Sequence, residues 1–147
     1  MKQFLIIASL LFITIPCFAG GVGYINYEKV ASEYLFAKKS MQEIETKAKE
    51  IDQYLKNKEI EFNKLETPLQ KQKFQETVQA EMRTKETAFN NFREKREEEV
   101  YTRIHAVAEK VRLEKGLDVL LDARGVFSGG VDITNDLIQK LNANGIR

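Results

Sequence analysis

Apolar residues recur at alternating steps of four and three along the first half of the chain, which is the a/d pattern of a heptad. The series is Val30, Tyr34, Ala37, Met41, Ile44, Ala48, Ile51, Leu55, Phe62, Leu65 and Leu69. The charged Lys58 takes one of the places in this register. Only a long helix keeps so narrow a seam in line, and the seam needs a second helix to cover it. The pattern therefore predicts a long, charged helical arm.

Residues 28–115 contain no glycine and a single proline, Pro68. Thr67 suits a helix N-cap and proline is favoured at the first helical position, so one helix is predicted to end near Glu66 and another to begin at Pro68. So short a connection predicts an antiparallel helical hairpin over residues 28–115, with its tip near 66–68. One continuous, kinked helix is the alternative.

The second arm of this hairpin has a different rhythm, because its apolar residues are spaced by eleven. They are Val78, Phe89, Val100 and Val111. An eleven-residue spacing does not wind into a standard left-handed coiled coil. We therefore expect the arms to touch along part of their length and to splay elsewhere.

Short apolar segments flank the hairpin. Residues 22–25 predict a first strand, followed by Asn26 as the N-cap of the first helix. Residues 117–122 and 126–128 predict two more strands joined by a turn, and Thr134 is predicted to cap a last helix. The predicted fold class is α+β, mostly α: a coiled-coil-like arm on a small β-rich head formed by residues 20–27 and 116–147. Because so small a head buries little apolar surface and leaves strand edges unpaired, we expect copies to join there as a homo-oligomer.

Residues 1–19 have the features of an export signal. Lys2 precedes an apolar run over residues 4–15, and small residues precede a cut after Ala19. The run is short for a bilayer span. A retained anchor and a lipoprotein acylated at Cys17 are the alternatives, although Pro16 is an unfavourable neighbour for acylation. Removal of residues 1–19 would leave an exported chain without cysteine.

Charge and residue types argue against several classes of function. The sequence holds 23 basic and 22 acidic residues, and loss of Lys2 with the signal balances them, which argues against nucleic-acid binding. The single histidine, His105, has no cysteine partner, so neither a metal site nor a nucleophile–base pair is predicted. We expect no enzyme, no catalytic or metal-binding residues and no cofactor. The arms also lack the one-sided basic face of a membrane-surface helix.

In these features the chain resembles the Skp/OmpH family of periplasmic chaperones over its full length. The most specific part is the closing segment, in which a hydrophobic strand ends at Asp122 and Val131-Asp132-Ile133-Thr134 leads into a short helix. The resemblance implies a jellyfish-like homotrimer whose helical arms enclose a cavity. It also implies an ATP-independent holdase that binds unfolded outer-membrane proteins in the periplasm and prevents their aggregation in transit. The family's basic arm tips are not matched here, so binding to lipopolysaccharide or anionic lipid is not carried over.

Apolar residues on the arms are the candidates for client contact, because many weak contacts add through avidity. They are Phe62, Leu65, Phe74, Met82, Phe89 and Phe92. The alternative is that they pack the seam, which heptad register favours for Phe62 and Leu65 and leaves open for Phe89 and Phe92. The rival function is a structural coiled-coil spacer or subunit of a cell-envelope complex. A spacer should keep its heptads unbroken through both arms, which the second arm does not.

Overall fold

The computed structural model describes residues 20–143, and the predicted signal peptide, residues 1–19, lies outside them. The elements, in chain order, are β1 (Gly21–Ile25), α1 (Tyr27–Glu33), α2 (Leu35–Asn63), α3 (Pro68–Glu114), β2 (Leu117–Asp122), a 3-10 turn (Ala123–Gly125), β3 (Val131–Asp132) and α4 (Thr134–Ala143). The predicted class, α+β and mostly α, is confirmed. Two long helices extend from a small sheet and its covering helices.

The predicted antiparallel hairpin is formed by α2 and α3, and the single kinked helix is excluded. With 29 and 47 residues, these helices are about 44 Å and about 70 Å long. The first ends at Asn63, slightly before the predicted Glu66. Thr67 is the N-cap of α3, as predicted. Its hydroxyl accepts a hydrogen bond from the Gln70 N–H at 3.3 Å, and the Gln70 side chain accepts one from the Thr67 N–H at 3.1 Å.

The sheet is parallel, with strand order β2-β1-β3. The strand predicted over residues 126–128 is wrong: the third strand is Val131–Asp132, on the opposite side of β1 from β2. The Asp122 carboxylate accepts hydrogen bonds from the backbone and guanidinium of Arg124, which stabilises a 3-10 turn after β2. The Phe127 side chain is fully exposed, so it does not pack against the sheet. The connection is therefore a crossover rather than a β-hairpin.

The hydrophobic core lies where the sheet, α1, α4 and the head-proximal ends of the arm meet. It consists of Ile25, Val30, Tyr34, Phe36, Ile104, Ala108, Val111, Leu117, Ile133, Leu137, Ile138 and Leu141. Val30, Ile133, Leu137 and Leu141 are its most completely buried members. The core thus includes side chains from within residues 28–115, which are assigned to the arm, and the proposed division of head from arm stays a prediction.

Hydrogen bonds join the first helix to the last one. The Asn26 side chain accepts from the Lys29 N–H at 2.9 Å, which confirms Asn26 as the N-cap of α1. The Asn26 N–H donates to the buried hydroxyl of Thr134 at 2.9 Å. The start of α1 and the start of α4 are therefore held together by one side chain.

Candidate functional site

The six candidate client-binding side chains lie along the arm and are half-buried. Four of them, Phe62, Phe74, Phe89 and Phe92, lie at the seam between α2 and α3. Near the tip, the rings of Phe62 and Phe74 lie 6.2 Å apart, with 45° between their planes. Leu65 lies in the connection itself, where its N–H donates to the Phe62 carbonyl at 3.1 Å. Met82, Phe89 and Phe92 follow along α3 toward the head. The structure therefore places the six along one arm, with the Phe62–Phe74 pair in ring contact.

Open grooves adjoin these rings. One of about 690 Å³ lies near the tip and is lined by Leu55, Phe62, Phe74 and Val78, among others. Another of about 370 Å³ lies nearer the head, where Ile51, Ala88, Phe89 and Phe92 face the charged side chains of Lys47, Glu50 and Lys85. Apolar side chains here have neighbours on one side and open space on the other. This arrangement can accept apolar groups from another chain without unfolding the arm.

The heptad register predicts the seam only in part. Met41 and Leu69 are 65% and 61% exposed, and Leu55 is exposed at 41%, although all three belong to the predicted series. Tyr54 and Lys58 are half-buried instead. A straight α-helix drifts by about 20° per heptad from a 3.5-residue repeat, so apolar residues in strict heptad register rotate out of a seam that does not supercoil. On α3, the eleven-spaced residues are buried or half-buried.

Lysine side chains cover the aromatic rings of the seam. Their Nζ atoms lie 5.1 Å from the ring centre of Phe92 for Lys47, 5.5 Å from that of Phe62 for Lys71, and 4.4 Å from that of Tyr54 for Lys85. Lys58, the gap in the heptad series, lies 5.5 Å from the ring centres of both Tyr54 and Phe74. Cation–π contacts of this kind are worth about 0.5–1 kcal/mol each at exposed sites. Lysines that interrupt the apolar pattern in sequence thus belong to the seam.

Two polar links join α2 to α3. The Tyr54 hydroxyl donates a hydrogen bond to the Glu81 carboxylate, and burial together with this bond raises the pKa of Tyr54 to about 12. Arg96 forms ion pairs with Glu43 of α2 and with Glu99 of its own helix, the latter at 2.8 Å. The hydrogen bond to Glu99 is the main cause of the raised pKa of Arg96. These links escaped the sequence analysis, because charges of both signs occur all along the arms.

One face of the strand pair β1 and β2 is apolar and open. Val22 pairs with Val119 and Tyr24 with Leu121 in the parallel register, so these four side chains share a face. Val22, Val119 and Leu121 are 41%, 40% and 41% exposed. The opposite face covers the core. Three aliphatic side chains left partly exposed together on one sheet face offer a surface for association.

Sites for other chemistry are few in the described part of the chain. Within residues 20–143, no group of three or more His, Cys, Asp or Glu side chains is arranged to hold a metal ion. The His105 side chain is exposed on α3, with its ring centre 6.1 Å from that of Tyr101. None of the helices in this part combines the length and the apolar character needed to cross a membrane.

Comparison with known proteins identifies the family. The sequence model of the family described as outer membrane protein (OmpH-like) matches residues 21–141. This chain belongs to the OmpH-like family. The resemblance inferred from the sequence is therefore confirmed. No curated protein matches the chain by sequence.

A solved structure shares the OmpH-like fold. It is the crystal structure of an OmpH-like protein from Caulobacter crescentus CB15, described as a candidate outer membrane chaperone. The TM-score is 0.63 at 16% sequence identity, and the match covers 86% of this chain and 86% of that one. At this identity the likeness shows that the two chains share a fold, with a helical arm and a small head.

Proposed function

We propose that this OmpH-like protein is an ATP-independent periplasmic holdase, which binds unfolded outer-membrane proteins and prevents their aggregation in transit to the outer membrane. The observation that carries the proposal is the seam of the arm. Its aromatic side chains are half-buried beside open grooves, whereas the fully buried core lies where the sheet and α4 meet the head-proximal ends of the arm. A long helical pair of this kind offers many weak apolar contacts spread over tens of ångströms.

The proposed client contacts are the six seam residues, Phe62, Leu65, Phe74, Met82, Phe89 and Phe92. A holdase has to bind many sequences, and it has to release them without an energy source. Individually weak contacts that add by avidity meet both needs, because each one breaks readily while the set retains the client. Phe89 and Phe92 are the strongest candidates, since they adjoin a groove and have no ring contact with each other.

We also propose that the protein works as a homo-oligomer, a trimer by its family resemblance. The open sheet face at Val22, Val119 and Leu121 supports association at the head. Copies joined there would direct their arms the same way and surround a shared space. A client in that space would meet several arms at once, which raises its effective affinity.

The test is suppression of aggregation. Several unrelated β-barrel outer-membrane proteins are diluted from urea with and without this protein, in the absence of nucleotide, and light scattering is followed. We expect suppression of all of them at about one oligomer per client. Phe89→Ser/Phe92→Ser should weaken suppression severalfold, whereas the matched exposed pair Ile60→Ser/Leu69→Ser should not. Circular dichroism and light scattering confirm that both variants keep their helices and their oligomeric state.

Each other outcome has a defined meaning. If neither double variant changes suppression, the holdase proposal stands and Phe89 and Phe92 are not its client contacts. If the intact oligomer suppresses no aggregation at all, the holdase proposal fails. The structural coiled-coil protein with one fixed partner is then the better account.

A further inference from the structure

The helical path breaks at Tyr34, between α1 and α2, without a glycine or proline. Tyr34 has φ −73° and ψ 119°, which is extended backbone rather than helix. The chain enters helix again at Leu35 and continues unbroken to the tip. A break of this kind leaves backbone groups without partners inside a helix, and each must find a hydrogen bond elsewhere.

One side chain from the far end of the sequence satisfies two of these groups. The Asn142 Oδ1 accepts a hydrogen bond from the Leu35 N–H at 2.9 Å, and its Nδ2 donates to the Glu33 carbonyl at 3.1 Å. Asparagine suits this place because its amide carries a donor and an acceptor side by side. The neighbouring Leu141 is 1% exposed, so the core fixes α4 and with it the side-chain amide of Asn142.

Helix α3 runs past the position of the break at Tyr34 without an interruption of its own. Ile104 of α3 shares the core with Tyr34 and Phe36, and the Arg103 guanidinium lies 4.0 Å from the ring centre of Phe36. The helical path from the head into the arm is therefore continuous along α3, whereas the path into α2 is interrupted at Tyr34. A change in backbone angles at Tyr34 would turn α2 against α3. Such a turn would disturb the links from Tyr54 to Glu81 and from Glu43 to Arg96.

We propose that Asn142 is a positioning residue, which locks the break between α1 and α2 and so sets the direction of α2 relative to the head and to α3. The C-terminal helix thereby controls the geometry of the arm. This inference rests on the fold alone and requires no client, so it can fail or succeed independently of the chaperone function.

The first test is amide hydrogen exchange of the full chain and two variants, with Gln139→Ala as the matched control on the exposed face of α4. In Asn142→Ala, we expect exchange at Leu35 to accelerate about tenfold or more. The Ile133 N–H, bonded to the Tyr24 carbonyl at 3.0 Å, reports on the core and should change much less. Asn142→Asp keeps the acceptor, so most of the Leu35 protection should remain.

Asn142→Ala and Asn142→Asp distinguish the hydrogen bonds at the break from a general effect of residue 142 on stability. Alanine forms helix better than aspartate, and a negative charge near the C-terminus of α4 is unfavourable. If Asn142 served only the stability of α4, Asn142→Asp would therefore accelerate amide exchange more than Asn142→Ala at every amide. The proposal requires the opposite order at Leu35. It is overturned if Leu35 exchange is unchanged in Asn142→Ala, or if Leu35 and Ile133 accelerate together.

The second test measures the direction of α2. Spin labels are placed at Lys56→Cys and Arg83→Cys, on exposed positions of α2 and α3, with Cys17→Ser, and labelled chains are diluted into unlabelled ones. The interspin distance distribution should shift or broaden in Asn142→Ala and stay narrow in Gln139→Ala. An unchanged distribution in Asn142→Ala would show that α2 is positioned by other contacts, and the proposal would fail.

Discussion

The rings of Phe62 and Phe74 lie 6.2 Å apart across the arm, in a tilted arrangement just before the tip. Each ring is also covered by a lysine, Lys71 over Phe62 and Lys58 over Phe74. These contacts lie within the arm itself, while an open groove adjoins both rings. The pair therefore has two candidate roles, closing the end of the hairpin and contacting clients.

A double-mutant cycle on this pair measures its role in closing the hairpin. Phe62→Ala and Phe74→Ala should each destabilise the arm, and the double variant should be less unstable than the sum by about 0.5–1.5 kcal/mol. The measurement is chemical denaturation followed by circular dichroism, with the exposed Leu69→Ala as the control. A coupling energy near zero would mean that the rings do not interact in solution. If these variants suppress aggregation as well as the wild type, the two rings pack the hairpin and do not contact clients.

The reciprocal cap at the tip predicts a cost for Thr67→Ala. Loss of the hydroxyl removes the partner of the Gln70 N–H and should cost about 1 kcal/mol of helix stability. Faster amide exchange at Gln70, with little change near the head, is the expected readout. Thr84→Ala is the matched control, because that exposed hydroxyl donates only to the Ala80 carbonyl within its helix, at 3.2 Å. Equal effects of the two substitutions would contradict a special role for the cap.

The carboxylate of Asp132 predicts a loss of stability in acid. The Thr134 hydroxyl and its N–H, the latter at 2.8 Å, donate to this carboxylate and lower the pKa of Asp132 below its ordinary value of 3.8. A lowered pKa in the folded state means stabilisation that is present above pH 3.8 and disappears as the pH falls through the folded-state pKa.

Asp132→Asn should therefore remove part of the acid dependence. The free energy of unfolding, measured from about pH 6 to pH 2, should fall less steeply below about pH 4 than in the wild type. Asp52→Asn on the exposed face of α2 is the matched control. Identical slopes for the wild type and Asp132→Asn would show that these hydrogen bonds do not depend on the ionised carboxylate.

The open sheet face predicts that stability depends on concentration. If copies associate there, the melting midpoint should fall on dilution, since association stabilises only the folded chain. Val119→Asp should dissociate the oligomer, because it places a charge in the apolar contact. Light scattering gives the mass, and Leu113→Asp, at an exposed leucine near the end of α3, is the control. A midpoint independent of dilution would contradict association of the head.

The candidate site was only partly predictable from sequence. Heptad register favours Phe62 for the seam, where its ring contacts Phe74, whereas the spacing on α3 left the place of Phe89 and Phe92 open. The partners of the rings were missed, because Lys58 and Lys85 read as interruptions of the apolar pattern. Their long apolar stems cross the seam while the ammonium groups cover aromatic faces. Only packing of both helices shows that a lysine can fill a place in an apolar register.

The sequence by itself determined the local features of this protein. Helix periodicity, the absence of glycine, and the caps at Asn26 and Thr67 act between residues a few positions apart, so they specified the hairpin and the starts of α1 and α3. The start of α2 at Leu35 was not predicted. Family membership likewise followed from local motifs along the chain.

Tertiary structure alone decided the rest, since it depends on groups far apart in sequence. The parallel order β2-β1-β3 requires a crossover that no short motif encodes, and the side chain of Phe127, at the centre of the expected strand, is fully exposed. The break at Tyr34 is held by Asn142, more than a hundred residues away. Hydrogen-bonding groups and apolar surfaces at such separations meet only after the chain has folded, and their pairing cannot be deduced from periodicity.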